Sequence, residues 1–446
     1  MKVIDLLNNG DVFIIAPMNV QQIFPLKRTL VILIALSFYS FSMKEEIAPR
    51  TFVAPKAIIP MALTNEISDA PSLEPLDSTF QRFVKDWRLV GASVAVMKEG
   101  KLVYAKGFGK PERRTDELLQ PYHQFRLASV SKLITATAIM KLVDDGKLSL
   151  DSKVFGKEGI LNSEAYANPY DSRVYDITVE HLLRHLGGWS LLTIGDPMFK
   201  PVYIAQELGI KGPPSFDQIA SFVLRYRIPY RPGSRYEYSN FGYCLLDRVI
   251  ETVTNMPYED YVKYHILLPN DINDMHIGRN MLEERQEGEV VHYDDSRSNV
   301  RESFDGSGEM VPTTYGATDI RTLEGAGGWM ASSTELLKLI SLIDGYADKP
   351  DILSHEAILK MVDTNVPGRS PIGWRKIYDE WTWMRTGTLA GSSAIVMRQD
   401  DGFTWAVLVN TSNWRSRRFN SRVKWMMSET LAKIEEWPER DLFQFR

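Results

Sequence analysis

Two strand-turn-strand patterns at opposite ends of the chain constrain its fold more than any other feature. The stretch GASVAVMKEGKLVYAKGFG, residues 91–109, alternates Val94 and Val96 with their neighbours, turns at Glu99 and Gly100, and resumes with Leu102, Val103 and Tyr104. This spacing predicts a β-hairpin. Near the other end SSAIVMRQDDGFTWAVLVNTS, residues 392–412, repeats the design around a turn at Asp400 to Gly402. After it, Phe419, Val423, Met427, Leu431 and Ile434 recur every three or four residues, which predicts a helix with one apolar stripe. Between Ser129 and about Asp344 the signals are helical or irregular, with long loops around 152–177, 190–216 and 280–320 and no internal repeat. The expected fold is therefore α+β. An antiparallel sheet built from both termini and flanked by helices carries a mostly helical insert over about 129–320, and the junction of the two parts is the natural place for a cleft.

Composition limits what such a fold can do. The 446 residues are 44% hydrophobic and 24% charged, enough apolar material for a large core. A formal net charge of -5 offers no general attraction for phosphate backbones, and no zinc-finger or arginine-rich pattern occurs, which argues against a nucleic-acid partner. The cluster Arg415, Arg417, Arg418, Arg422 and Lys424 fits the solvated face of the C-terminal helix. Cys244 is the sole cysteine, so no internal disulfide forms and cysteine usage does not report the compartment.

The stretch PLKRTLVILIALSFYSFSMKEE is more informative about location. Lys27 and Arg28 precede an apolar run from Leu30 to Phe41, with Ser40 and Ser42 ahead of Met43. That order is the one of a secretory signal, with a buried helix or an uncleaved membrane anchor as alternatives, and Met18 as an alternative start. Residues 1–43 are read as signal or anchor, and 44–75, with Pro49, Pro55, Pro60, Pro71 and Pro75, as a linker. The folded body is expected over 76–446, outside the cytoplasm.

Chemistry first appears in FRLASVSKLITATAIMKLVDDG, residues 125–146. Leu133, Ala136, Met140 and Val143 share a helical face, and Gly146 stands where a C-terminal cap belongs, which predicts an amphipathic helix over about 129–145. Ser129 and Lys132 lie three residues apart on one face, so the amine approaches the hydroxyl. In a desolvated cleft the lysine loses part of its preference for charge and can take the serine proton, while the helix dipole favours negative charge developing there. The alternative is a serine cap beside a surface cation. The same spacing recurs at Ser421 and Lys424, where nothing suggests catalysis.

Two further stretches carry polar groups suited to such a site. PGSRYEYSNFGYCLLDRVIE sets Tyr238, Ser239 and Asn240 after a Pro232-Gly233 turn and before a helix. A phenol there can shuttle a proton and a carboxamide can hydrogen-bond an acyl amide. Tyr166-Ala167-Asn168 has the same spacing without that context. WTWMRTGTLAGSS places Arg385, Thr386 and Gly387 on an expected strand, with Gly391 permitting close backbone approach. An exposed edge strand of this kind can pair with an extended substrate and aim an N–H at its oxyanion.

Together these stretches resemble the serine β-lactamase and penicillin-binding-protein superfamily, in the branch that includes class C β-lactamases, D-alanyl-D-alanine carboxypeptidases, D-aminopeptidases and related esterases. FRLASVSK is similar to the family's S-x-x-K segment and YSNFGY to its Y-x-N segment. LLRHLGGW, residues 182–189, and GAGGWMASSTELLKLI, residues 325–340, resemble two further family segments in the same order. The resemblance runs from about Leu76 to near the C-terminus. It implies that Ser129 is the nucleophile, that Lys132 helps deprotonate it, and that Tyr238 is the general base and acid. It also implies that Asn240 holds the acyl amide and that the backbone N–H groups of Ser129 and Thr388 form the oxyanion hole, with no metal or cofactor required.

One position departs from the family. Its third motif begins with lysine or histidine, and here the residue is Arg385, which stays protonated and offers a bidentate fork to a substrate carboxylate but cannot shuttle protons. His276-Ile277-Gly278 has the histidine spelling, but it lies in a stretch resembling a structural part of the family. His181 and His185 have the i, i+4 spacing of metal ligands, yet Leu182 stands where a zinc protease has glutamate and no third ligand is evident. Trp189, Trp374 and Trp383 are candidates either for the pocket wall or for the core. The expected activity is an exported serine hydrolase forming an acyl-enzyme on Ser129 with a small-molecule or peptide ester, amide or lactam. The alternatives are a D-amino-acid-directed carboxypeptidase or aminopeptidase on cell-wall fragments, and a penicillin-binding or sensor domain without turnover.

Overall fold

Both hairpins form, and they lie side by side in one sheet. The computed structural model describes residues 63–445 apart from 295–298, 347–348, 366–369 and 413–415, so the export segment and residues 44–62 of the expected linker lie outside the described residues. The first hairpin is β1 (Gly91–Lys98) and β2 (Lys101–Gly109). After the helical region come β3 (Lys376–Asp379), β4 (Thr382–Leu389), β5 (Ser392–Arg398) and β6 (Phe403–Val409). The sheet order is β2-β1-β6-β5-β4-β3, with every pair antiparallel. The two hairpins meet where β1 pairs with β6, from Ala92 opposite Val409 to Lys98 opposite Phe403.

The central strands are apolar in near-continuous runs because both of their faces are covered. Val94 and Val96 of β1, with Trp405 and Val407 of β6, face helices α1 (Glu74–Asp86) and α5 (Ser416–Leu431). Those helices contribute Leu76, Phe80 and Phe83 from one and Phe419, Val423 and Met427 from the other, the stripe expected from the sequence. The intervening residues Ala95, Met97, Ala406 and Leu408 face the opposite way, into the core of the helical region. Among the described basic residues of the C-terminal cluster, Arg418 and Arg422 are exposed.

Residues 63–75 differ from the linker expected there. Leu63 is buried, Asn65 donates to the Leu119 carbonyl (2.8 Å) and accepts the Gly107 N–H (2.8 Å), and the Ser68 hydroxyl bonds both backbone groups of Ala105. These side chains occupy the outer edge of β2 much as another strand would, which protects that edge. Proline content signalled absence of periodicity, and two short 3-10 turns at Asn65–Ser68 and Pro71–Leu73 satisfy it.

The helix carrying the S-x-x-K stretch also differs from expectation. Ser129 sits in a separate 3-10 turn, Ala128–Val130, and helix α2 begins after it, at Ser131–Asp144. Instead of one buried face, α2 is buried on all sides from Ser131 through Met140. Its polar positions are satisfied internally: Ser131 Oγ accepts the Trp329 N–H, Thr135 Oγ1 donates to the Gly325 carbonyl and Thr137 Oγ1 to the Leu133 carbonyl. Beside α2 run helix α3 (Asn240–Thr254) and, against β1 and β6, helix α4 (Ser333–Ile340). The region of 280–320 expected as loop holds a small hairpin, Val300–Glu302 with Met310–Pro312. Among the described residues no helix is long and apolar enough to cross a membrane.

Candidate active site

From His123 to Met140 every side chain is buried except Ser129, which keeps partial exposure. The preceding residue, Ala128, has a left-handed backbone (φ 48°), a conformation costly for alanine that turns the chain so that Ser129 faces the cleft. Lys132, fully buried one helical step on, reaches three acceptors: Ser129 Oγ at 3.4 Å, Asn240 Oδ1 at 2.6 Å and the Ala326 carbonyl at 2.6 Å. A buried ammonium needs such partners, because an unpaired charge in the interior costs several kcal/mol or more. Burial still lowers the lysine's proton affinity, and Arg385 adds to this while Tyr238 opposes it.

Tyr238 Oη stands 2.8 Å from Ser129 Oγ. Burial alone would raise its pKa, but the charges of Lys132 and Arg385 and the hydrogen bonds from Lys132 and Ser129 bring it down to about 8. A phenol with that pKa is poised to take and return a proton near neutral pH. The sequence-expected trio of Ser129, Lys132 and Tyr238 is thus brought together.

Asn240 joins them, but with both ends of its amide engaged. Its Oδ1 accepts from Lys132, and its Nδ2 donates to Asp196 Oδ2 at 2.6 Å. Asp196, not singled out from sequence, reads there as a simple cap before Pro197, and it does accept the Met198 N–H. Burial raises the Asp196 carboxyl above its ordinary value. Trp189, Asp196, Tyr238 and Asn240 line one pocket, so Trp189 is a pocket residue, whereas Trp374 and Trp383 are buried against each other at 5.5 Å.

Strand β4 runs beside the Ala128–Val130 turn. It is not an edge strand, since β3 pairs with it over Thr382–Met384, but the residues beyond run past the end of β3. The Met384 carbonyl accepts the Arg375 N–H on the side away from β5. Backbone groups alternate along a strand, so Thr386 and Thr388 present theirs on that same side, toward the cleft. At Gly387 a Cβ would meet the Leu127 carbonyl at 2.1 Å and the Ser129 nitrogen at 2.8 Å, so only glycine lets β4 lie against the Ser129 turn. That approach brings the Gly387 backbone against the Leu127 carbonyl and the Ser129 nitrogen.

Arg385 is placed differently from the expectation of a carboxylate fork. It is 1% exposed, its Nε donates to the Ser129 carbonyl at 2.7 Å, and its remaining nitrogens reach the Trp374 carbonyl and Tyr238 Oη, each at 3.4 Å. The guanidinium is therefore spent on holding the Ser129 backbone and acidifying the phenol. An exposed arginine, Arg375, lies 5.6 Å from the Tyr238 ring centroid and donates to Tyr236 Oη. The sequence marked neither Arg375 nor the Ala326 carbonyl, because their roles depend on chain segments distant in sequence.

The lookalikes fall elsewhere. Tyr166 donates to Asp217, and His276 pairs with Glu289 at 2.7 Å in a small sheet. His181 caps its own helix at Thr178, while His185 turns toward Tyr238, so the two do not converge. Among the described residues no group of three or more His, Cys, Asp or Glu side chains is placed to hold a metal ion. A larger open groove of about 1100 Å³ between Met140–Leu150 and Ile377–Glu380 holds none of the motif side chains.

Comparison with known proteins adds ancestry to this geometry. A family model described as Beta-lactamase matches residues 76–425. Esterase EstB of Burkholderia gladioli is 26% identical over 328 residues, covering 69% of this chain and 79% of the esterase. Protein flp of Staphylococcus aureus (strain MW2) is 23% identical over 364 residues, and the match spans 79% of this chain but only 64% of flp. Among solved structures, the octameric penicillin-binding protein homologue from Pyrococcus abyssi is similar with a TM-score of 0.61 at 24% identity, covering 82% of this chain and 79% of that one. The D-amino acid amidase from Ochrobactrum anthropi SV3 is similar with a TM-score of 0.62 at 19% identity, over 82% of this chain and 99% of the amidase.

Proposed function

Because the chain belongs to the Beta-lactamase family, we propose that it is a serine hydrolase that cleaves esters or amides through an acyl-enzyme on Ser129. The observation that carries this reading is the Tyr238 phenol 2.8 Å from Ser129 Oγ, with the Lys132 ammonium 3.4 Å from the same oxygen. In acylation Tyr238, as phenolate, takes the Ser129 proton while Oγ attacks the acyl carbonyl. The Ser129 and Thr388 N–H groups receive the oxyanion, each such donor being worth roughly 3 kcal/mol of barrier. Tyr238 then returns the proton to the leaving alcohol or amine, and water attacks the acyl-serine by the same route to release the acid and restore Ser129. Residues 27–43 support action outside the cytoplasm.

A leaving group that carries a carboxylate is favoured by one further observation. Arg375 is exposed beside Tyr238, where its guanidinium is open to a substrate carboxylate. It takes the role that the sequence suggested for Arg385. This supports a peptidase or amidase reading, as the amidase and penicillin-binding-protein neighbours do.

Purified protein exposed to a fluorophosphonate, p-nitrophenyl esters, a chromogenic lactam and a D-Ala-D-Ala peptide tests these readings together. Mass spectrometry is expected to find the label on Ser129. Labelling of wild type no faster than of Ser129→Ala would overturn the hydrolase, and labelling without product release would favour a sensor.

A further inference from the structure

His185, one of the two histidines at metal-ligand spacing, contacts the loop that carries Tyr238 through its carbonyl, its Nδ1 and its ring. His185 has a left-handed backbone (φ 60°), which is uncommon for histidine and which its surroundings must hold in place. Its carbonyl accepts the Glu237 N–H at 2.9 Å, and its Nδ1 accepts the Ser239 N–H at 3.2 Å. Its ring lies against the residue between them, with centroids 4.5 Å from Tyr238, and it also touches Tyr243 at 5.0 Å and Tyr236 at 5.7 Å. The contacts before, on and after Tyr238 leave the phenol little freedom to swing away from Ser129.

We propose that His185, as a neutral imidazole accepting at Nδ1, is a positioning residue that clamps Tyr238 in reach of the Ser129 hydroxyl. The inference rests on the hydrolase reading for its catalytic consequence, though the clamp itself does not. An acceptor Nδ1 requires the proton on Nε2. Protonation would set a second N–H against the Ser239 N–H and expel it. The surroundings oppose that step: His185 is 5% exposed, and the cations facing it are Lys132 on α2, Arg385 on β4 and Arg375 before β3, with Tyr236, Tyr243 and Tyr238, which carries negative charge only as phenolate, completing the shell. Burial and these cations hold its proton affinity well below that of an ordinary histidine. A placement error of about 1 Å at a reacting group can cost about 100-fold in rate, so a clamp of this kind is worth having.

Two variants separate the acceptor from the backbone. His185→Gly fits the left-handed conformation but removes both ring and acceptor, whereas His185→Asn tolerates that backbone and keeps an acceptor near the Nδ1 position. With p-nitrophenyl acetate, His185→Gly is expected to lower kcat about 100-fold with KM changed less than about threefold, and His185→Asn to recover about tenfold of the loss. ¹⁵N NMR of histidine-labelled wild type is expected to show the His185 Nδ1 without a proton from about pH 5 to 9, the range over which an ordinary histidine titrates. An Nδ1–H or cationic imidazole in the native protein would overturn the clamp, as would a folded His185→Gly variant with the kcat and pH profile of wild type. If fluorophosphonate fails to label wild-type Ser129, the hydrolase reading falls separately, and the NMR result still decides the clamp.

Discussion

The chain contains the same serine-lysine spacing twice, at Ser129 with Lys132 and at Ser421 with Lys424, and the two places behave as opposites. Ser421 is exposed on the surface of α5, and Lys424 lays its ammonium over the Tyr378 ring at 3.6 Å. Lys132 is fully buried, with carbonyl and amide oxygens at 2.6 Å and a phenol on the shared serine. The geometry one helical step apart is available to both pairs. Burial makes the difference: Lys424 is half-buried on the outer face of a helix, whereas Lys132 is held away from water by three oxygens whose positions the fold dictates.

Substitutions at the two sites break that comparison most sharply. Ser129→Ala is expected to lower ester hydrolysis roughly 10⁴- to 10⁶-fold, as loss of a nucleophile does elsewhere, while Ser421→Ala leaves it unchanged; stopped assays with p-nitrophenyl acetate measure both. Next in size, Tyr238→Phe keeps the ring against His185 but removes the proton carrier, and kcat should fall about 10²- to 10⁴-fold. An unchanged rate in that variant would move the base to Lys132 alone.

The pH profile sharpens the role of the surrounding charge. With Tyr238 as the phenolate base proposed above and its pKa brought down to about 8, kcat/KM for a neutral ester should rise with pH and level off above about 8. Arg385→Gln removes one of the charges responsible, so that limb should move toward higher pH, the ordinary direction for tyrosine. A limb that stays in place would separate Arg385 from the phenol. Smaller still, Arg375→Ala should weaken carboxylate-bearing substrates about tenfold relative to neutral esters, the worth of a single exposed charge-assisted contact. Equal losses on both would exclude it from leaving-group binding. Smallest of all, Lys424→Ala should change the unfolding free energy in urea by less than about 0.5 kcal/mol, as surface substitutions usually do.

The legible parts of the site were those whose chemistry is local. Ser129 and Lys132 share one stretch, Tyr238 and Asn240 another, and each announces itself by residue type and spacing. Less legible were partners that enter from elsewhere. Asp196 looks like any helix cap until its second oxygen meets Asn240. The Ala326 carbonyl has no sequence signature, because every residue has one. Arg385 shows how a readable residue type can be given the wrong surroundings: its charge was legible, but its burial against the Ser129 carbonyl was not. Similarly, the apolar spacing within α2 suggested one buried face, and the threonine and serine positions that looked solvent-facing proved to be bonded to backbone groups of other segments.

By itself the sequence determined the elements and their kind: two hairpins from their period-two runs and turns, a C-terminal helix from its stripe, and a serine, a lysine and a phenol in the order of a known family. These follow from short-range rules, in which backbone preference and side-chain alternation act over a few residues. Tertiary structure alone decided which lysine loses water, which arginine is buried against the Ser129 turn and which is left exposed, and what packs against the Tyr238 phenol. Those outcomes depend on desolvation and on distances between segments a hundred or more residues apart, and neither quantity exists until the sheet has closed the two ends of the chain around the helical region.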